Sequence, residues 1–391
     1  MSALLNSVLL LIAGNGLLNT LVPMQGKLQG FGDIAIGLLG SAYFAGMLAG
    51  TLAAPALISR AGYIRAFSAF VALSVVITLT FPAVTQPAAW VGLRYAIGFV
   101  FSGFYAVIEA WLTDRSDNTN RGRVYALYQI VTYAGTAGGQ QLLNVFDPSS
   151  TALFSISAAL FALAMLPMAF TTSEPPPRPR SISLRLLWLM RTAPVGGVSV
   201  LLIGCANGSF WSLAPVYGLS LGLSPGRVAT FVTAVILGTA LALYPVGKLS
   251  DRMDRRKVMI GFALAGALAE GLLASASHFH FALIAALGFA VGATTMVLYM
   301  LAVSHANDRA GPDHAVQVSS GMLFLYCSGA IVSPIFASML MTRYGAEALF
   351  LQNSVFHLVL VAFALWRIAT RDRVRGSRLV GGLGKPEPRL S

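Results

Sequence analysis

The sequence predicts an all-α membrane protein with twelve transmembrane helices in two pseudo-symmetric bundles of six. Three observations predict this fold. The chain is 56% hydrophobic and only 10% charged, apolar stretches of helical length recur along it, and motifs of its first half return in its second half. Soluble domains carry about 25% charged residues, so this composition could not cover a water-facing surface.

The apolar stretches number twelve, and each is near or above the roughly 20 residues that an α-helix needs to cross a bilayer. They are too long and too continuously apolar for the alternating strands of a transmembrane barrel. In order, spans 1 to 12 are predicted at Leu4–Val22, Ile34–Ile58, Ala66–Val84, Ala88–Thr113, Val124–Val145, Ser150–Thr171, Pro194–Tyr217, Val228–Val246, Val258–Ser277, Phe281–Ser304, Val316–Leu340 and Ala346–Ile368.

The basic residues predict the orientation of these spans. The net charge is +12, but with the N-terminus inside, 22 of the 26 Lys and Arg fall on the inner loops and the tail. Arg94 lies within a span, and only Lys27, Arg227 and Arg343 lie outside. This asymmetry follows the positive-inside rule, so we expect both termini in the cytoplasm of a bacterial inner membrane. The basic excess is then a topology signal and not a nucleic-acid site; contact of the tail with anionic lipid is a secondary possibility.

A linker divides the spans six and six. It reads SEPPPRPRSISLRLLWLMRTAP, and its proline-rich part is extended. Residues Ser181–Thr192 are predicted to form a short amphipathic helix on the inner membrane surface, with an unstructured linker as the alternative. The predicted organisation is a bundle over 1–171, a linker over 172–193, a bundle over 194–370 and a basic tail over 371–391.

The two halves repeat one another. At an offset of 192 positions, Asn15, Gly16, Pro23 and Arg60 match Asn207, Gly208, Pro215 and Arg252. At an offset of 194, Gly98, Tyr105, Asp114, Arg115 and Gly135 match Gly292, Tyr299, Asp308, Arg309 and Gly329. Repeats of like orientation are related by an axis along the membrane normal, with the binding site between them.

The asparagines of the repeat interrupt runs that otherwise suit hydrocarbon. A buried amide without a partner costs roughly 1–3 kcal/mol. We therefore expect spans 1 and 7 to face a central crevice where water can hydrogen-bond Asn15 and Asn207. Hydrogen bonds between helices are the alternative.

The loop between spans 8 and 9 carries a recognisable signature. It reads GKLSDRMDRRKV over Gly247–Val258, and it resembles the cytoplasmic motif G-x-L-x-D-R-x-G-R-R of the major facilitator superfamily, with Asp254 where a glycine is usual. The first-half counterpart, PALISRAGYIR, keeps Arg60 and Gly62 but lacks the acid. The sequence RYAIG in span 4 is similar to the core motif of the superfamily's proton-coupled drug exporters.

Further stretches resemble the YcaD-type subgroup of that superfamily. They are IEAWLTDRSDNTNRGRVYALYQ, NGSFWSLAPVY in span 7 and AVSHANDR after span 10. The resemblance implies the superfamily's fold and transport by alternating access. It names no substrate.

Two charges lie inside span 4. Arg94 and Glu109 are 15 residues apart, roughly 22 Å along a helix, so they cannot pair with each other. Arg94 could attract an anionic substrate or lower the proton affinity of a nearby acid, or it could be structural. Glu109 is the candidate proton carrier, with a structural salt bridge to loop arginines as the alternative. Glu270 in span 9 is expected to snorkel or to contact a neighbouring helix.

The signature loop suggests a cytoplasmic gate. We expect Arg252 to pair with Asp308 and Arg60 to pair with Asp114, with Asp251 and Arg255 belonging to the same cluster. These pairs would latch the helices in the outward-open state and release on opening inward. The alternative is that they only set topology and cap loops.

Polar and aromatic residues at matching depths predict a substrate cavity suited to an organic molecule. The predicted cavity residues are Asn15, Asn19, Arg94, Tyr105, Gln129, Tyr133, Asn207, Trp211 and Tyr299.

No catalytic, metal-binding or phosphate-binding motif is recognisable, so we expect no enzyme activity and no cofactor. Without a nucleotide-binding domain, a gradient must drive transport. The predicted function is a monomeric secondary transporter of a small organic solute, with proton-coupled export preferred. Uptake or facilitated diffusion, lipid flipping, and a non-transporting scaffold or sensor remain alternatives.

Overall fold

The computed structural model describes residues 2–114, 116, 120–169, 176 and 184–382. Helices occupy the predicted positions. Spans 1 to 6 are Ser2–Leu28, Asp33–Ala61, Tyr63–Thr80, Pro87–Asp114, Arg121–Gln141 and Ala152–Ala169. Spans 7 to 12 are Pro194–Ser220, Pro225–Arg252, Arg255–Leu273, Phe281–Ala310, Ala315–Tyr344 and Ala348–Gly382. Span 10 contains one π-helical turn, Gly292–Met296.

Nine of the helices within these described ranges are long and apolar enough to cross a membrane. The other three are spans 5, 6 and 9. Span 5 is rich in Gly, Thr, Tyr and Gln, the described apolar part of span 6 is short, and span 9 begins with three basic residues and carries Glu270. The helical membrane fold is confirmed, whereas the count of twelve crossings stays a prediction for these three.

Local sequence explains where several spans begin. Ser224 caps span 8 by accepting a hydrogen bond from the backbone nitrogen of Arg227, and Pro225 starts the helix with no amide hydrogen to satisfy. Asp254 caps span 9, its Oδ1 accepting from the nitrogen of Arg256 at 2.9 Å. At the matching place before span 3, Gly62 instead adopts φ 83°, which an L-residue rarely does.

Glycines at the helix crossings reproduce the sequence repeat in space. A Cβ on Gly98 would overlap the carbonyl oxygen of Tyr43, and one on Gly292 would overlap that of Val235. The pair Gly135 and Leu9 recurs as Gly329 and Leu201. The glycines of the two halves are 194 positions apart and the residues that face them are 192 positions apart. These are the two offsets that relate the sequence motifs. The crossings of spans 2 and 4 and of spans 1 and 5 are therefore repeated by spans 8 and 10 and by spans 7 and 11.

The two halves pack against each other towards one end of the bundle. We call it the far end, because the linker, the start of span 1 and the end of span 12 lie at the opposite, linker end. Gly40 sits against Ser212 there, and Gln141 Nε2 donates to Thr233 Oγ1 at 2.7 Å. One hydrophobic core runs through the first half and the far-end part of the second half. A separate core fills the linker-end part of the second half, so at that end the halves pack independently.

The described part of the linker contains a short helix, Leu186–Thr192. Leu189 is fully buried, and a Cβ on Gly321 of span 11 would overlap the Leu189 side chain. The Trp188 ring lies 4.9 Å from the His314 ring, centroid to centroid, while Leu187 is 76% exposed. The helix therefore docks on the second half with one face outward. Residues 181–183 of the predicted linker helix lie outside the described residues.

Candidate functional site

A cavity of about 240 Å³ lies between the halves, mostly against spans 1, 2, 4 and 5. Its wall includes Asn15, Asn19, Arg94 and Tyr105 from the first half and Trp211 from span 7. Asn15 is 6% exposed and Arg94 is 4% exposed, so neither side chain faces the surroundings of the bundle.

Arg94 is held by neutral groups. Its Nη1 donates to Asn19 Oδ1 at 3.1 Å, and its Cζ lies 4.5 Å from the centre of the Tyr43 ring, the geometry of a cation–π contact. The phenol of Tyr43 accepts a hydrogen bond from Asn15 Nδ2 at 3.4 Å. The Nε of Arg94 and the Oδ1 of Asn15 are buried and have no hydrogen-bond partner among the described residues. No described residue on the cavity wall is a carboxylate.

A second cavity, of about 310 Å³, adjoins the second half. Tyr133, Asn207, Trp211 and Tyr299 line it, and it shares Trp211 and Tyr326 with the first cavity. The Tyr326 ring lies 5.2 Å from that of Tyr299 and 6.4 Å from that of Phe44, centroid to centroid. Trp211 and Tyr326 thus stand between two compartments of one crevice.

The structure brings together most of the predicted cavity residues. Eight of the nine line one compartment or the other: Asn15, Asn19, Arg94, Tyr105, Tyr133, Asn207, Trp211 and Tyr299. Gln129 is exposed and lines neither of these cavities. It lies towards the linker end of span 5, four residues from Tyr133, where the halves have already separated. The role of all nine in binding stays a prediction.

Tyr43 and Tyr326 are wall residues that the sequence did not indicate. Tyr43 contacts both Arg94 and Asn15, and Tyr326 interacts with Asn207. A tyrosine in an apolar helix gives no signal by itself, because most such tyrosines only pack. The position of Tyr43 along its helix could have indicated it, because Tyr43 lies at the depth in the membrane where Gly98 crosses span 2.

Glu109 has an exposed side chain on span 4, near the linker end. It forms no ion pair or hydrogen bond with any residue in the described ranges. Glu109 lines neither of the two crevice cavities. The alternative expected for Glu109, a salt bridge to a loop arginine, is not formed within the described ranges, and Arg115 lies outside them.

Glu270 does not snorkel. Its Oε2 lies 2.8 Å from Nδ1 of His357, joining spans 9 and 12, and the two side chains are 2% and 1% exposed. Of the two expected alternatives, the contact with a neighbouring helix is therefore correct. Neither residue lines the two crevice cavities.

The cluster at the linker end differs from the predicted pairing. Asp308 Oδ2 accepts from Nε of Arg255 at 2.6 Å, and Asp251 Oδ1 accepts from Nη2 of Arg255 at 3.0 Å. Arg252 is exposed and makes no ion pair with Asp308 while the halves are separated at this end, so their pairing stays a prediction for the outward-open state. Arg255 opens span 9, which packs against span 10, whereas Arg252 ends span 8 facing outward. The pair is formed although the halves are separated at this end, so opening this end does not release it.

The first-half counterpart uses other residues. Arg60 and Asp114 are both exposed, and Arg60 forms no ion pair with Asp114. The charge of Asp114 acts on Tyr63, which stands where the second half has Arg255. A phenol thus replaces the guanidinium beside the repeated aspartate. The expected pair between Arg60 and Asp114 is not formed while the halves are separated at this end, so it too stays a prediction for the outward-open state.

The sequence model described as Major Facilitator Superfamily matches residues 4–195 and again 196–388. The chain belongs to this superfamily. Each match covers one half, in keeping with the repeated glycine crossings. The chain is therefore a multi-pass membrane transporter and not an enzyme.

Curated relatives cover nearly the whole chain. An uncharacterised MFS-type transporter of Yersinia pseudotuberculosis serotype O:3 (strain YPIII) is 30% identical, over 90% of this chain and 93% of the relative. The uncharacterised MFS-type transporter YcaD of Escherichia fergusonii is 27% identical, over 89% and 90%. The resemblance to the YcaD-type subgroup is confirmed.

Solved structures share the fold at low identity. The nucleoside transporter NupG superposes with a TM-score of 0.74 at 14% identity, covering 93% of this chain and 97% of that one. A bacterial homologue of the lysosomal transporter Spinster, in an inward-facing and unoccupied conformation, gives 0.69 at 14% identity, over 93% and 95%. At this identity these likenesses show the fold alone.

Proposed function

We propose that this transporter moves a small organic anion by alternating access and couples the movement to protons. The observation that carries the proposal is Arg94. It is buried, it lines the crevice, and the residues described around it offer amides and phenols but no carboxylate.

A buried arginine inside a membrane protein is costly unless it is paired. Asn19 and Tyr43 compensate part of the charge, and no residue in the described part of the chain accepts a hydrogen bond from the Nε of Arg94. A carboxylate of a solute could accept from this guanidinium in the geometry that arginine favours. Trp211 and Tyr326 on the opposite wall would contact the apolar part of the same molecule.

Glu109 is the proposed proton carrier. It lies roughly 22 Å from Arg94 along span 4, so the two cannot exchange a proton directly. Coupling would therefore pass through the change of conformation, with solute binding at Arg94 and Glu109 exposed on one side at a time. With the linker end in the cytoplasm, as the basic loops favour, the arrangement here is inward-facing. The resemblance of span 4 to drug exporters favours export.

A thermal-shift screen with matched acid–amide pairs, such as benzoate with benzamide, tests the anion. We expect acids and not their amides to raise the unfolding temperature of the purified protein. Arg94→Gln should weaken the binding of any acid found by roughly 10- to 100-fold. Arg343→Gln, an exposed far-end arginine stacked on Tyr344, is the control and should leave binding unchanged. A panel in which amides bind as well as acids would contradict the proposal.

Proteoliposomes with an internal pH-sensitive dye test the coupling. Addition of an acid from the screen should drive a pH change that depends on the imposed gradient. Glu109→Gln should abolish the proton movement while keeping solute binding, because Glu109 lies far from Arg94. If solute flux ignores the gradient, or if Glu109→Gln still moves protons with the solute, the coupling is wrong even where the anion site stands.

A further inference from the structure

The second compartment of the crevice, of about 310 Å³, is walled by aromatic rings. Each ring is half-buried, so part of its surface is open to the cavity. They belong to spans 5, 7, 10 and 11, so both halves contribute: Tyr133, Trp211, Tyr299 and Tyr326. Apolar side chains fill most of the remaining wall, and none of its lining residues in the described part of the chain is charged.

The other polar side chains of this compartment are largely committed to the protein. Thr239 Oγ1 donates to the carbonyl oxygens of Val235 and Gly292, at 2.9 and 3.2 Å. The Asn207 side chain hydrogen-bonds Tyr326, and its Oδ1 is buried. A solute in this compartment therefore meets mainly the faces of rings, with phenol and indole groups at their edges.

The rings are held in place by one another. The Tyr326 ring packs edge to face on Tyr299, with the centroids 5.2 Å apart and the planes at 75°, and on Phe44 at 6.4 Å. Trp211 packs edge to face on the buried Phe210 at 5.1 Å. A wall already fixed in this way loses little freedom on binding, and a solute ring can add further contacts of the same kind.

The first compartment differs because it carries the charge. Arg94, Asn15 and Asn19 lie on its wall, and it shares Trp211 and Tyr326 with the second compartment. Aromatic cages also bind quaternary ammonium groups. Here no described residue lining either compartment is acidic, so a cationic group would lack a counter-charge and would be repelled by Arg94. The rings therefore suit an uncharged aromatic group.

We propose that the solute is an aryl carboxylate in which a short spacer separates the ring from the acid. The carboxylate binds Arg94 in the first compartment, the spacer passes Trp211 and Tyr326, and the ring packs against Tyr133 and Tyr299 in the second. This inference rests on the proposed function, because Arg94 holds the carboxylate there, and it adds the aromatic group and its separation from the acid. Benzoate, whose ring is joined directly to the acid, would occupy the first compartment alone.

Calorimetry on the purified full-length protein, with 4-phenylbutanoate, 4-cyclohexylbutanoate and benzoate, tests the ring. Tyr299→Leu keeps an apolar side chain and removes one ring. It should weaken the binding of 4-phenylbutanoate about 2- to 10-fold more than that of the cyclohexyl acid. The difference in hydrophobicity between the two acids cancels in this comparison. Benzoate should change by less than about twofold, and Tyr299→Phe should keep the affinities of the unaltered protein.

Further variants place the effect in the second compartment. Tyr133→Leu, from the other half, should cause the same selective loss, and it keeps the test decisive where Tyr299→Leu folds poorly. Tyr244→Leu is the matched control, since this tyrosine of span 8 is 77% exposed and lines neither compartment. It should leave all three affinities unchanged. Arg94→Gln should weaken the three acids alike and keep the ratio between the phenyl and cyclohexyl acids.

The outcomes separate this inference from the proposed function. If acids bind through Arg94 but neither Tyr299→Leu nor Tyr133→Leu discriminates between the phenyl and cyclohexyl acids, the aryl group is wrong and the anion site stands. A betaine of equal spacer length, 4-(trimethylammonio)butanoate, that binds as tightly as 4-phenylbutanoate would also overturn the inference, because the rings would then bind a cation. If no acid binds more tightly than its amide, both proposals fail.

Discussion

The two halves share one backbone plan and differ in where they keep their charges. Glycines at the crossings of spans 2 and 4 and of spans 8 and 10 contact the same backbone positions. Yet Gly288 stands at the position matching Arg94, and Val303 at the one matching Glu109. The second half instead buries Glu270 against His357, away from the crevice.

This difference separates packing from chemistry. Close approach of two helices needs glycine at a fixed place, so both copies keep it. A charge is costly anywhere in the membrane and is retained only where it has a partner or a task. The first half therefore carries the residues proposed to bind solute and protons, and the second half uses its buried acid to join helices.

The largest effect is expected at the acid that joins helices. Glu270→Leu should lower the free energy of unfolding by about 3 kcal/mol, because it leaves His357 buried without its partner. The double variant with His357→Leu should recover much of that loss. Chemical denaturation in mixed micelles measures both. A double variant as unstable as the single one would show that the pair itself contributes the stability and that the unpaired histidine does not cause the loss.

The glycine crossings give the next test, now of likeness between the halves. Gly98→Ala and Gly292→Ala should each cost roughly 1–3 kcal/mol, because a Cβ would overlap a facing carbonyl oxygen. Gly138→Ala and Gly271→Ala are controls in each half, since a Cβ there meets nothing within 4 Å. Unfolding temperatures measure these losses. Unequal losses at Gly98 and Gly292 would show that the two crossings are not energetically equivalent, and the π turn that begins at Gly292 would be the first explanation to test.

The linker-end cluster should give a smaller effect. Arg255→Gln removes the partner of both Asp308 and Asp251, but these side chains are 56% and 68% exposed, so the loss should be at most about 1 kcal/mol and should shrink in high salt. Arg252→Gln should change stability by less. Equal effects of the two variants would show that Arg252 contributes to the linker-end cluster as much as Arg255 does.

The smallest effect is the acid sensitivity of the cap on span 9. Hydrogen bonding from Arg256 lowers the pKa of Asp254 to about 2, below the roughly 3.9 of an unfolded aspartate. A lowered folded pKa stabilises the protein above about pH 4, and this contribution disappears as pH falls from about 4 towards about 2. Asp254→Asn keeps a capping oxygen, so its unfolding temperature should fall less between pH 6 and pH 3 than that of the unaltered protein. If the unfolding temperatures of both proteins fall equally between pH 6 and pH 3, the charge of Asp254 does not contribute to stability.

Much of the fold and part of the site were predictable from sequence. Runs of apolar residues define the helices, and a buried amide in such a run, as at Asn15 or Asn207, has few places to go except the crevice. Tyr43 and Tyr326 escaped prediction because a phenol gives the same pattern whether it packs or lines a cavity. Which of Arg252 and Arg255 pairs with Asp308 depends on which helix end faces span 10. The packing of distant helices sets that direction, so the sequence around the two arginines does not predict it.

The seam at the far end has an energetic consequence. Gly37 meets Ser338 and Gly40 meets Ser212, so backbones touch there with little side-chain interlock. Parting such surfaces sacrifices mainly dispersion, spread over many weak atom pairs, and few directional bonds. Helices that meet in this way can separate at the far end without breaking a network of polar bonds, which suits the proposed alternation between two open states.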